Sequence, residues 1–138
     1  MGSSHKYEGS PVPTSSEQTL ANFIRATCGS VWTLELLLIL ARHPDRAWSE
    51  TELVSALRAS ELIVTRALDE LTVAGFVAAG PDRSVRYSPA SAKLAEMVML
   101  VDRFYVRAPD KVRRIIATAR ASALEAFADA FRIRKDPE

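Results

Sequence analysis

The stretch SETELVSALRASELIVTRALDELTVAGFV, residues 49–77, decides how this chain folds. Ser49 is a natural N-cap, and Glu52 three residues later can return a bond to the Ser49 amide, which predicts a helix starting here. Leu53, Ala56 and Leu57 fall on one face of that helix. The step Ala59-Ser60-Glu61 ends it and offers Ser60 as the cap of a second helix. Val64, Ala67, Leu68 and Leu71 then follow the spacing of a buried stripe, leaving Glu61, Thr65, Arg66, Asp69 and Glu70 toward solvent or a partner. Gly75 closes the second helix, and Phe76-Val77 leaves as a strand.

Two short helices meeting at a tight break are a helix-turn-helix, whose second helix in DNA-binding proteins enters the major groove. Upstream, Leu20, Phe23, Ile24 and Thr27 mark the inner side of a helix from Ser15 or Ser16 to Gly29. Ser30 caps a helix over Val31 to Arg42, apolar on nearly every side through LELLLILA and therefore central. His43-Pro44 stops it, and Ala47-Trp48 fits a very short strand. Downstream, residues 76–79 and 84–88 can pair as a hairpin around Gly80-Pro81-Asp82-Arg83. A helix over about 90–106 carries Leu94, Met97, Val98, Val101 and Tyr105 on one side. Pro109 or Asp110 opens a last helix to about Arg134, on the order of 38 Å long.

A chain of 138 residues, 48% hydrophobic and 25% charged, fits one domain with a real core. Residues 1–14, beginning MGSSH, read as a disordered leader or tag remnant, and 15–138 as a single domain with its core at 30–89 and dimerisation helices over 90–134. The longest apolar run, Leu36 to Ala41, is too short for a bilayer, and no secretory leader is evident, so a cytoplasmic protein without a membrane partner is expected. A single cysteine, Cys28, with only His5 and His43, offers neither a disulfide nor a zinc ligand set. No catalytic constellation or phosphate loop stands out, so neither an enzyme nor a cofactor is expected.

Net charge is +1, but its distribution is uneven. Residues 45–90 hold five basic against seven acidic residues, net −2, whereas 107–138 hold eight against five, net +3. The expected reading head is the less basic part.

The order helix, helix, short strand, helix, helix, two-stranded wing and two further helices resembles the MarR-like winged helix-turn-helix regulators of bacteria over about residues 16–134. The likeness rests on TRALDELTVAGFV, Asp82-Arg83 and Tyr87-Ser88-Pro89. It implies a mainly α fold with a small β-wing and flanking N- and C-terminal dimerisation helices. It also implies a homodimer that regulates transcription by reading double-stranded DNA through its paired lobes. The chain departs from the family in its short wing, in Ala79 where an arginine is common, and in Glu61, Leu62 and Ile63 at the exposed start of the second helix.

Candidate DNA contacts are Ser60, Glu61, Leu62, Thr65 and Arg66, with Arg58 from the turn and Arg83 and Arg86 from the wing. A salt-bridged surface with Asp69, Glu70 and Asp82 is the plainer reading of those arginines. Candidate dimer contacts are Leu20, Phe23, Ile116, Ala123, Phe127 and Phe131, since the series from Val112 to Phe131 needs a partner to lie against. Ile63 can tuck under the wing, and Cys28 reads as a small buried cysteine. The alternative function is a protein-binding adaptor that docks a regulator or polymerase through Leu62 and no longer reads DNA. A third class, a repressor answering a small molecule, requires a pocket.

Overall fold

The computed structural model describes residues 15–135, with side chains over 17–130. The expected leader, 1–14, lies outside the described residues, as does the side chain of Phe131. In chain order the elements are α1 (Ser15–Thr27), α2 (Val31–Arg42), β1 (Ala47–Trp48), α3 (Glu50–Leu57), α4 (Glu61–Ala74), β2 (Val77–Ala79), β3 (Val85–Tyr87), α5 (Ala92–Arg107) and α6 (Pro109–Lys135). The fold is mainly helical with a small three-stranded antiparallel sheet in the order β1-β3-β2. No single helix among the described residues is long and apolar enough to cross a membrane.

Helix α2 is the centre of the molecule. Ser30 accepts the Thr33 amide at 3.3 Å, which fixes its start, and Leu34, Leu36, Leu37, Leu38 and Leu40 are all buried. Each leucine so buried stabilises the fold by about 1.5–3 kcal/mol relative to an exposed one. Against it pack α4, α3, α5 and β3. The sheet closes one end: Trp48 pairs with Val85, and Val77 with Tyr87, so Trp48 and Val77 turn inward while Ala47, Arg86 and Ala78 line the outer face.

The second layer is α1, α5 and the first half of α6, joined through Leu20, Ile24, Val98, Val101, Phe104, Val112 and Ile116. Three expectations are corrected here. Phe104, absent from the expected face of α5, is fully buried, while Leu94, Met97 and Tyr105 lie at its margins. In α3, Ala56 is exposed and Val54 packs instead, because a valine covers more apolar surface than a single methyl. Helix α5 starts at Ala92, not Ala90: the Ala90 amide donates to Gly75 at 2.8 Å, and Ser91 caps the helix by accepting the Leu94 amide at 3.1 Å.

Leu20 and Ile116, expected at a dimer interface, belong to the protomer's own core, and Phe23 is half-buried with its ring edge-on to Phe76 at 5.8 Å. Helix α6 outruns that core. Every residue from 121 to 130 is exposed, with Leu124 at 61% and Phe127 at 70%.

Glu70, expected toward solvent or a partner, is exposed and has partners on the neighbouring turn. Its carboxylate accepts the Thr33 hydroxyl at 2.7 Å and the Gly29 amide at 3.3 Å, pinning α4 to the α1–α2 turn. A Cβ on residue 29 would lie 2.7 Å from Glu70 Oε2, so a side chain there would push the carboxylate aside. Glu70→Ala should cost about 1 kcal/mol in urea unfolding, since it removes the charged acceptor of the Thr33 hydroxyl and leaves it Ser30 Oγ at 3.3 Å. Gly29→Ala should cost a comparable amount by displacing the same carboxylate. In the double variant the second substitution should add almost nothing, and full additivity would show that the two residues do not act on each other.

Candidate functional site

The surface from the α3–α4 turn to the β2–β3 hairpin is shaped by four local devices. At the start of α3, Ser49 accepts the Glu52 amide at 3.1 Å and Glu52 accepts the Ser49 amide at 2.9 Å, the expected reciprocal cap. The bond from the Ser49 amide, with help from Arg46 at 3.3 Å, holds the Glu52 carboxyl below the usual range. At the end of α3 the Arg58 amide donates to Ser55 and the Ala59 amide to Val54, both at 3.3 Å, with Arg58 at φ 56°. Gly75 ends α4 in the same way at φ 87°. These are Schellman caps, which need a left-handed residue; glycine is at ease there and arginine is strained.

The fourth device is the hairpin tip. Asp82 and Arg83 are both left-handed, at φ 59° and 61°, and the Ser84 amide donates to the Pro81 carbonyl at 3.1 Å. This two-residue turn follows the right-handed twist of the strands and is normally built from Asn-Gly or Asp-Gly. Among the described residues the three non-glycine residues with positive φ therefore lie on this surface, and two of them are arginines.

The expected contact residues fall into two groups. Ser60 and Thr65 are in place but their hydroxyls are engaged: Ser60 caps α4 by accepting the Ile63 amide at 3.2 Å, and Thr65 donates to Glu50 at 2.6 Å. Glu61, Leu62, Arg58, Arg66, Arg83 and Arg86 are exposed. Arg86 stands on the outer face of the sheet between Ala47 and Ala78. Among the described residues none of these four arginines forms an ion pair, so the salt-bridged surface of the plainer reading, with Asp69, Glu70 and Asp82, is not present. Elsewhere Arg42 holds Asp102 at 2.6 Å, Lys111 holds Glu17 at 3.1 Å and Arg113 holds Asp110 at 3.3 Å.

Ile63 does not tuck under the hairpin. It turns toward the α1–α2 turn and lines a groove of about 390 Å³ with Trp32, Arg66, Glu70 and Arg120. Arg120 Nη1 donates to the Gly29 carbonyl at 3.4 Å, so the peptide groups of residue 29 are held from α4 on one side and from α6 on the other. Sequence reasoning missed Glu50, Glu70 and Arg120, whose partners lie 15, 37 to 41 and 91 residues away. Cys28 is buried as expected, and burial with the nearby Glu70 charge pushes its thiol up to about 12, which leaves it neutral and unreactive near pH 7. Among the described residues no cluster of His, Cys, Asp and Glu could hold a metal ion.

Compared with family models, with curated proteins and with solved structures, the chain matches none.

The strain gives a direct expectation. Arg83→Gly and Arg58→Gly should each stabilise the fold by about 0.5–1 kcal/mol, as a shift of the urea midpoint at unchanged slope, although each removes a cation from the surface. A loss of stability in either variant would show that the arginine side chain contributes more to the fold than its backbone strain removes.

Proposed function

We propose that this chain is a winged helix-turn-helix regulator that binds double-stranded DNA as a homodimer, with α4 as the recognition helix and the β2–β3 hairpin as the wing. The observation that carries this reading is the set of four exposed arginines on the turn, the recognition helix and the wing, none of them neutralised by a carboxylate. Unpaired guanidinium groups suit phosphate oxygens, which they can hold bidentately. Backbone strain retained at Arg58 and Arg83 points the same way, since it persists where the side chain serves something other than stability. Each lobe offers few such groups, so for one lobe alone the affinity is modest and its salt slope shallow, and the slope doubles in the dimer.

Fluorescence anisotropy with duplexes selected from a random library tests this. With about eight phosphate contacts in the dimer, the logarithm of affinity should fall with the logarithm of salt at a slope of about −7. Arg66→Ala and Arg83→Ala should each flatten that slope by about 1–2. Failure to bind any duplex even at low salt would overturn the reading. The adaptor reading is favoured by one observation, the outward ridge of α4, where Leu62 is 59% and Val73 88% exposed on either side of Arg66 and Asp69. It gains if Leu62→Asp leaves DNA affinity unchanged and abolishes capture of a protein partner.

The dimer is supported by α6. Its residues 121–130 are exposed, and tertiary packing supplies most helical stability. Leu124 and Phe127 on the overhang supply an apolar face for a second copy. Light scattering at micromolar concentration should give twice the chain mass, and Phe127→Asp should give a folded monomer. A monomeric wild-type chain would end this part of the proposal.

A further inference from the structure

The internal bonding of α3 and α4 limits what the recognition helix can read. The Ser60 hydroxyl accepts the Ile63 amide and the Thr65 hydroxyl donates to the Glu50 carboxylate, so Ser60 keeps only its proton to offer a base and Thr65 only its lone pairs. Helix α4, ELIVTRALDELTVA, carries no Asn or Gln, the side chains that grip adenine through two bonds. At its N-terminal end, where a recognition helix meets base edges, Glu61 and Leu62 remain, both exposed, and Glu61 has no ion-pair partner among the described residues.

A carboxylate can only accept. In the major groove guanine shows two acceptors, and adenine sets its N7 acceptor beside its amino group. Thymine shows an acceptor, and cytosine alone shows an amino group without an acceptor next to it. An aliphatic side chain finds one complementary feature there, the thymine C5-methyl. We infer that α4 reads pyrimidines, with Glu61 accepting from a cytosine N4 amino group and Leu62 packing on a thymine methyl. This rests on the DNA reading above and adds the base preference to it. It also accounts for an acidic side chain at the leading end of the helix: against phosphates Glu61 is repelled, whereas at a cytosine edge it is paired.

The test uses the full chain and duplexes recovered from a random library. Replacing the contacted thymine by deoxyuridine deletes one methyl group and should weaken wild-type binding about fourfold, the worth of one buried methyl. The Leu62→Ala variant should be indifferent to that replacement. Glu61→Gln should change the preferred base at its position from cytosine to adenine, because an amide can both donate and accept. Deoxyuridine tolerated at every thymine, or a Glu61→Gln variant that still selects cytosine, would overturn the inference while DNA binding itself stood. Failure to bind any duplex would overturn both together. The deoxyuridine arm alters only the DNA, so its result is independent of whether a variant folds.

Discussion

One carboxylate, Glu70, ties α4 to the rest of the molecule by directed bonds. From an exposed position on the flank of that helix it holds the buried Thr33 hydroxyl and the Gly29 amide, at a distance where a Cβ on residue 29 would press on Oε2. The carbonyl of the same residue accepts from Arg120 on α6. Val64, Ala67 and Leu71 place the inner face of α4 by packing, and the bonds from Glu70 add a directed contact to it. The flank of α4 is thus tied to the α1–α2 turn, and α6 reaches the same turn through the carbonyl of the residue whose amide Glu70 holds. The same carboxylate adds to the burial that keeps Cys28 neutral, so the turn holds a thiol without thiol chemistry.

Strain is distributed in the opposite sense. The interior of the molecule uses residues suited to their conformations, such as Gly75 in the left-handed cap of α4. The three exceptions, Arg58, Asp82 and Arg83, are all at exposed turns of one surface. A left-handed L-residue costs roughly 1–2 kcal/mol, and glycine would remove most of that. A chain that keeps arginine in two such places stabilises its fold less than it could. In the proposed reading those two cations serve phosphate contacts, and the stability of the well-packed α2 core offsets their cost.

Much of the fold was legible because its boundaries are local. Ser30, Ser49 with Glu52, Ser60 and Gly75 each act on an amide or carbonyl within a few residues, so a short window of sequence contains both partners. The hairpin was legible for the same reason, from Gly80-Pro81-Asp82-Arg83 between two apolar segments. What the sequence did not reveal depends on partners distant in the chain or on competition between similar side chains. Glu70 has the spacing of a solvent-facing residue and becomes a tether only when α2 arrives beside it. Thr65 has the type and place of a base contact, but Glu50 from the preceding helix holds its hydroxyl proton. Leu20 and Ile116 have the stripe expected of an interface, and an apolar stripe reads alike whether its partner is the same chain or another. Arg58 was invisible as a cap because nothing in an arginine signals a left-handed conformation.

These features bear on one another through energy. A lobe with four free arginines and a net acidic charge over residues 45–90 has a weak electrostatic hold on a polyanion. In the proposed dimer the second lobe binds as a tethered partner at high effective concentration, provided both lobes meet the duplex together. That condition is geometric, and it falls on α6, whose core half packs on α1 and α5 and whose exposed half extends beyond them. The bond from Arg120 to Gly29 sits at the boundary between those halves, and Glu70 carries the link from Gly29 to α4. One turn thus ties both α4 and the overhang, so in the proposed dimer a shift there would alter the spacing of the lobes and the face they present at once.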